Sequence, residues 1–255
     1  MTDADGADRR LLVVRGSREF LVAPGGTRET DLGVLELPAD VTPGDVVETH
    51  LDEPFEVRRL RGPDLFDHLE RTGAPMMPRD IGLVIGHTGV AAGDRALDAG
   101  TGTGVLAAYL GRLGVDVTTY ERDPEFAEVA RANMSTAGVA GRVDVRTGDL
   151  TAHLDDAGDG YDLLTLDTGD AAAVVEHAPD LLAPGGFLAV YSPFVESARE
   201  CVSAAREAGL AEIETLETIQ RRMDFDDRGS RPSTAGVGHT GYLVFARLLP
   251  DVTPE

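Results

Sequence analysis

The sequence predicts an α/β protein in which a small all-β unit precedes a parallel sheet flanked by helices, and three observations carry that expectation. Short apolar runs broken by turn residues fill positions 11 to 60, strand-like and helix-like runs alternate from Asp94 to Gly209, and the rest of the chain holds two strand-like runs with no apolar-periodic helix between them. Alternation implies parallel strands joined by right-handed crossovers. Two successive strand-like runs imply an antiparallel closure.

The elements follow in chain order. LLVVR (11–15), EFLVA (19–23, before Pro24-Gly25-Gly26), GVLEL (33–37), VVETH (46–50) and FEVRRL (55–60) read as short strands. They make residues 11–62 a small β-domain behind an acidic tail at 1–10, with 63–255 as the main domain. A helical stretch over 64–71 stops at Gly73, and Pro78 stands where a second helix through 81–90 begins. Then come a strand at 95–100, a helix at 105–114, a strand at 115–121, a helix at 124–138 and a strand at 143–149. A strand at 161–167, a helix at 171–182, a turn at Ala183-Pro184-Gly185-Gly186, a strand at 187–193 and a helix at 195–209 complete the alternation. The closing pair is 211–223 and 241–249.

Composition narrows the class. The chain has 255 residues, 42% hydrophobic and 27% charged, with no apolar run near the roughly 18 residues of a membrane span. Its N-terminus is acidic where a secretory signal would be basic and then apolar. Cys201 is the only cysteine, so an internal disulfide is excluded and a small core filler is expected. The 45 acidic residues face 23 basic ones, all arginine, for a formal net charge of −22. In molar salt the screening length falls to about 3 Å, which relieves the self-repulsion of such a surface. A halophile's cytoplasmic protein is the expectation. The arginines cluster, as Arg58, Arg59 and Arg61 and as Arg221, Arg222, Arg228 and Arg231. His87, His153 and His177 have no metal-ligand spacing, so no metal is expected.

The chemistry concentrates between the first parallel strand and its helix. Asp98-Ala99-Gly100-Thr101-Gly102-Thr103-Gly104 lies where a backbone must approach a ligand without side chains in the way. A tight turn or a dinucleotide site would also use such a loop, since Gly102, Gly104 and Ala107 satisfy a G-x-G-x-x-A spacing. Acids after successive strands shift the balance. Glu121 ends the second strand, where a carboxylate can take both hydroxyls of a ribose; Asp149 ends the third and Asp167 the fourth. A cofactor with an ammonium, a ribose and an adenine has use for all of them.

These residues resemble the class I methyltransferases, with DAGTGTG, YE, TGD and LD as their first four motifs, over positions 94–249. The resemblance implies a Rossmann-like domain whose seven-stranded sheet ends in an antiparallel strand, and S-adenosylmethionine as cofactor. It places the glycine loop and Asp98 around the methionine end, Glu121 on the ribose and Asp149 on the adenine, with Asp167 also on the cofactor side, facing its methyl group. The segments FEVRRLRGPDLFDHLERTGAPMMPRDIGLVIGHTGV (55–90) and GHTGYLVFAR (238–247) are similar to the tRNA (adenine-N1)-methyltransferase family called TrmI. Archaeal members of that family methylate adenosines 57 and 58 of tRNA, and the family forms homotetramers. Met77 stands at the family's tyrosine near the target base and Arg79 at its lysine, while the fourth motif continues as Asp167-Thr168-Gly169-Asp170 instead of D-x-P-x-P-W.

The resemblance therefore implies methyl transfer to N1 of adenosine in the T-loop of tRNA, at position 58 with 57 as a further site. Asp167 is the candidate catalytic residue, orienting the adenine through its exocyclic amine. Met77, Arg79 and His239 are the candidate pocket residues, and Arg221, Arg222 and Arg231 the candidate phosphate contacts. Rival readings are another class I methyltransferase acting on isoaspartyl protein or a small metabolite, a non-catalytic RNA-binding subunit of a heteromeric methyltransferase, and a dinucleotide dehydrogenase.

Overall fold

The computed structural model describes residues 10–250, so the acidic stretch 1–10, apart from Arg10, lies outside the described residues. Six short strands come first: β1 Leu11–Arg15, β2 Arg18–Val22, β3 Thr27–Thr30, β4 Gly33–Glu36, β5 Val46–Glu48 and β6 Pro54–Arg59. Four of them form an antiparallel sheet in the order β2-β1-β6-β5, and β3 and β4 make a hairpin beside it. The run LLVV explains how this unit is held. Side chains alternate across a strand. Leu11 and Val13 accordingly enter a core with Leu35, Phe55 and Val57, while Leu12 and Val14 enter the core of the main domain. A strand buried on both faces reads as an unbroken apolar run.

The connection carries α1 Gly62–His68 and α2 Pro78–Thr88, each with proline in its first turn. The main domain then runs β7 Arg95–Ala99, α3 Val105–Leu113, β8 Asp116–Glu121, α4 Pro124–Ala137, β9 Val143–Thr147, a single 3-10 turn Leu150–Ala152, α5 Leu154–Ala157 and β10 Tyr161–Leu166. It continues through α6 Ala171–Val175, α7 Ala178–Leu181, β11 Leu182–Ser192, α8 Val195–Glu207, β12 Ala211–Glu217, β13 Met223–Asp226, β14 Gly229–Pro232 and β15 Tyr242–Arg247. The seven-stranded sheet has the order β12-β15-β11-β10-β7-β8-β9. β15 runs antiparallel to both β11 and β12, and the other neighbouring pairs are parallel. Consecutive residues feed opposite faces: Ala96, Leu163, Ala189 and Phe245 pack on one side, Leu97, Leu164, Leu188 and Val244 on the other. Strand order reverses between β7 and β10, and a crevice outside the carboxyl ends of the strands is expected there. Cys201 is buried on α8, its thiol pushed up to about 11 by burial and then by Glu200.

Three expected elements take another form, and β3, β14, the 3-10 turn and α5 had no counterpart in the sequence reading. The helix expected over 171–182 is two short helices, because Pro179 has no N–H to continue the first and instead opens the second. The expected turn at Pro184-Gly185-Gly186 is a bulge inside β11, where pairing with β10 shifts between Tyr161 and Leu163. Gly185 takes φ +91° there, and Gly185 and Gly186 trade hydrogen bonds with Leu248 at 2.7 and 2.9 Å. The run expected as one strand over 211–223 leaves the sheet after Glu217, and its end begins a separate hairpin, β13 with β14.

Candidate active site

The glycine loop lies at that crevice. Gly100 has φ +90°, and a Cβ there would fall on the backbone oxygen of Asp167, whose own N–H donates to the Ala99 carbonyl at 2.8 Å. Gly104 is the left-handed N-cap of α3, where a Cβ would lie 2.6 Å from Cε of Met134. A side chain at Gly100 would push the loop away from β10, and one at Gly104 would displace the end of Met134 and hold a left-handed backbone conformation that favours glycine.

Asp98 sits beneath this loop, 3% exposed. Sheet register puts Thr119 and Thr165 directly beside it on the neighbouring strands, and each hydroxyl donates to one carboxylate oxygen at 2.5 Å. Thr119 has a single proton, so the 2.5 Å contact with Thr101 is donated by Thr101. The chain Thr101 to Thr119 to Asp98 fixes the loop from below. Burial raises the pKa of Asp98, the two threonines oppose that rise, and Glu121 adds to it.

Three more carboxylates surround the cavity. Glu121, 7% exposed, accepts from the Gly102 N–H at 2.8 Å and the Asp123 N–H at 3.0 Å, so it binds the end of β8 to the glycine loop. Asp149 accepts from the N–H and hydroxyl of Thr151 through a single oxygen, Oδ1. Asp167 is half-buried, and its pKa is raised to about 7, first by burial and then by the charge of Asp98. A cavity of about 410 Å³ is lined by Gly100, Gly102, Glu121, Phe126, Asp149 and Asp167. A second cavity of about 110 Å³, lined by Met76, Asp98, Thr101, Thr103 and Asp167 among others, shares Gly100, Gly102, Phe126 and Asp167 with the first.

None of the other sequence-predicted residues lines either cavity. Met77 is the N-cap of α2 and lines neither cavity; Met76 lines the smaller one. Arg79 is turned inward, donating to the carbonyls of Val237 and Gly238 and to the Thr240 hydroxyl. His239 holds its own loop, with Nδ1 2.7 Å from Glu217 and Nε2 3.1 Å from the Pro193 carbonyl; the carbonyl and then the carboxylate raise its pKa. Arg221 and Arg222 are exposed just before β13, and Arg231 is exposed on β14 opposite Asp224.

Several site residues escaped sequence reasoning. Thr119 and Thr165 become ligands of Asp98 only through register. Asn133 donates to the carbonyls of Glu70 and Thr103 and accepts from the Glu70 N–H, binding the connector to the glycine loop. Phe126 forms a wall of both cavities. The usable signal was a polar residue at an apolar position of a periodic run, as Asn133 is on α4. Among the described residues, no helix is long and apolar enough to cross a membrane and no group of three or more His, Cys, Asp or Glu could hold a metal ion.

Comparison with known proteins agrees with this arrangement. The model of the family "tRNA methyltransferase complex GCD14 subunit" matches residues 66–229. A curated tRNA (adenine(57)-N(1)/adenine(58)-N(1))-methyltransferase TrmI of Methanocaldococcus jannaschii is 30% identical over 275 residues, covering 96% of each chain. A tRNA (adenine(58)-N(1))-methyltransferase TrmI of Thermus thermophilus is 32% identical over 93% of this chain and 95% of its own. Among solved structures, a SAM-dependent O-methyltransferase of Thermotoga maritima superposes with a TM-score of 0.80 at 26% identity, over 99% of this chain and 98% of that one. The resemblance seen in the glycine loop, in the strand-end acids and at 55–90 and 238–247 thus extends over nearly the whole chain, which belongs to the GCD14 and TrmI family of tRNA methyltransferases.

Proposed function

We propose that this chain transfers a methyl group from S-adenosylmethionine to N1 of adenosine in the T-loop of tRNA, at position 58 with 57 as a further site. The observation that carries this reading is the cavity built from the glycine loop, Glu121, Asp149 and Asp167 in a chain of this family. The residues present fit the cofactor. The glycine side of the cavity is kept free of side chains, and its other sides offer carboxylates suited to a hydroxyl pair, an amine and a positive charge. When bound, S-adenosylmethionine supplies an electrophilic methyl group on a sulfonium centre.

The chain's own task is orientation. N1 of neutral adenine already carries a lone pair, so no base has to generate the nucleophile and positioning dominates. Asp167, the candidate catalytic residue, accepts a hydrogen bond from the exocyclic amine in its ionised form and stabilises the positive charge that grows on the ring. Burial and the charge of Asp98 raise its pKa to about 7, so its charge is set by its surroundings near neutrality. Glu121 takes the ribose hydroxyls and Asp149 the adenine amine. Asp98, Gly100, Thr101, Gly102, Thr103 and Gly104 form the floor, and Met77, Arg79 and His239 belong to the elements that border the base. Extruding the base costs a few kcal/mol. Phosphate contacts by Arg221, Arg222 and Arg231 offset it. We place this enzyme in the cytoplasm of a salt-loving organism, as a homotetramer.

A second reading follows from the Thermotoga neighbour, an O-methyltransferase. A hydroxyl acceptor needs a base, and a carboxylate with a pKa near 7 would serve. One experiment separates the two: incubation with labelled S-adenosylmethionine and unmodified tRNA in high salt, followed by nucleoside analysis. N1-methyladenosine is the expected product; label in a ribose hydroxyl, or none in RNA, would refute the proposal.

A further inference from the structure

α2 and the loop that leads into β15 are 160 residues apart in sequence and joined by one polar cluster. Arg79 donates to the Val237 carbonyl at 3.0 Å, the Gly238 carbonyl at 3.3 Å and the Thr240 hydroxyl at 3.0 Å. That hydroxyl in turn donates to Asp80 at 2.9 Å, and Nε of Arg79 lies 3.8 Å from the same carboxylate. The Arg79 and Asp80 side chains are only 8% and 3% exposed. The loop's next contact points to the active site. Tyr191, on β11, donates its hydroxyl to the Thr240 carbonyl at 2.5 Å. A Cβ at Gly241 would strike the Tyr191 ring at 2.6 Å, so loop and ring are in close contact. Tyr191 also follows Val190, the register partner of Leu166, so it stands at the end of β11 beside Asp167 at the end of β10.

We propose that Arg79, Asp80 and Thr240 are positioning residues: they clamp the 237–241 loop to α2 and, through Tyr191, hold the wall against which the acceptor base is presented to Asp167. This inference rests on the reading of the chain as a methyltransferase acting on tRNA. It gives Arg79 a role distinct from phosphate binding, because the cation is spent on the protein's own loop. Thr240 is the central residue: its hydroxyl accepts from Arg79 and donates to Asp80, and serine is the substitution that preserves both bonds. Valine keeps the shape and loses both.

The test compares wild type with Thr240→Val, Thr240→Ser and Arg79→Gln, measuring kcat and KM on unmodified tRNA, cofactor affinity by calorimetry, and the salt dependence of tRNA binding. A wall displaced by about 1 Å costs on the order of 100-fold in rate. Thr240→Val and Arg79→Gln are expected to lower kcat by about that factor with KM and cofactor affinity nearly unchanged, and Thr240→Ser to stay near wild type. Wild-type kcat in Thr240→Val, an equal loss in Thr240→Ser, or a salt slope shallower by about one in Arg79→Gln would overturn the clamp. If Thr240→Val does not fold, Arg79→Gln carries the same comparison. Failure of the underlying reading looks different, because wild type itself then forms no N1-methyladenosine. Hydrogen exchange of the 237–241 amides decides the clamp in that case: protection lost in Thr240→Val and kept in Thr240→Ser supports it, and protection unchanged in both overturns it.

Discussion

Asp167 is the group whose ionisation is most open to measurement. Its pKa stands at about 7 against an ordinary 3.8, raised by burial first and by Asp98 second. A carboxyl whose folded pKa exceeds its unfolded value binds more protons in the folded chain between those two values, so stability falls as pH rises through that window. The contribution is fully present below pH 4 and gone above about pH 8. A tenfold change in a protonation equilibrium corresponds to about 1.4 kcal/mol, which makes the loss between pH 5 and pH 8 about 2 to 3 kcal/mol. Asp167→Asn keeps the shape and cannot ionise. Urea melts of both proteins at pH 5, 6, 7 and 8 should therefore show the wild type losing that amount relative to the variant, and the difference cancels other titrating groups. Asp98→Asn should shrink the effect without abolishing it, since burial remains. A wild-type-minus-variant difference that stays flat from pH 5 to 8 would refute the desolvated setting assigned to Asp167.

Other expectations follow from the same geometry. Asp167→Ala should lower methyl transfer to adenosine by several orders of magnitude while cofactor affinity survives, and near-wild-type turnover would move the orienting role elsewhere, with Asp170 the first residue to test. Glu121→Ala removes charge-assisted bonds worth roughly 1.5 to 3 kcal/mol and should weaken S-adenosylmethionine binding about ten- to a hundred-fold in calorimetry. Gly100→Ala should abolish cofactor binding in a chain that still folds, because the new Cβ lands on the Asp167 carbonyl; binding titration checks it. Neutralising Arg221, Arg222 and Arg231 together should weaken tRNA binding and flatten its salt dependence with cofactor affinity unchanged, read by binding at several salt concentrations.

How much of this was legible in sequence depends on the range of the interaction. The glycine loop and the acids Glu121, Asp149 and Asp167 are local features at strand ends, so alternation and spacing suffice to bring them to one crevice. The closing strand was legible too, since β12 and β15 lie in a stretch of chain that has stopped producing helices. What surrounds Asp98 was not, because Thr119 and Thr165 reach it across strands whose neighbours only the sheet order determines. Arg79 was visible as a departure from a family lysine, yet its partner Thr240 lies at the far end of the chain. The Pro184-Gly185-Gly186 run misled for a different reason: glycines that permit a turn also permit a bulge, and pairing with β10 and Leu248 selects the bulge.

With 45 acids against 23 arginines, a cation in this chain readily finds a carboxylate, and many do: Arg15 with Glu53, Arg18 with Asp31, Arg58 with Glu56, Arg142 with Asp116 and Arg146 with Asp144. Arg221, Arg222 and Arg231 are exceptions; among the described residues no carboxylate oxygen lies within ion-pairing distance of any of them. In molar salt the screening length is about 3 Å, so long-range steering of RNA toward an acidic protein vanishes and only direct contact counts. Arg221 and Arg222, exposed just before β13, and Arg231, exposed on β14, are then free of a carboxylate for the phosphate contacts proposed above. Two of them lie at the end of the run that sequence reasoning took as one strand, 211–223, and the hairpin that begins there carries the third.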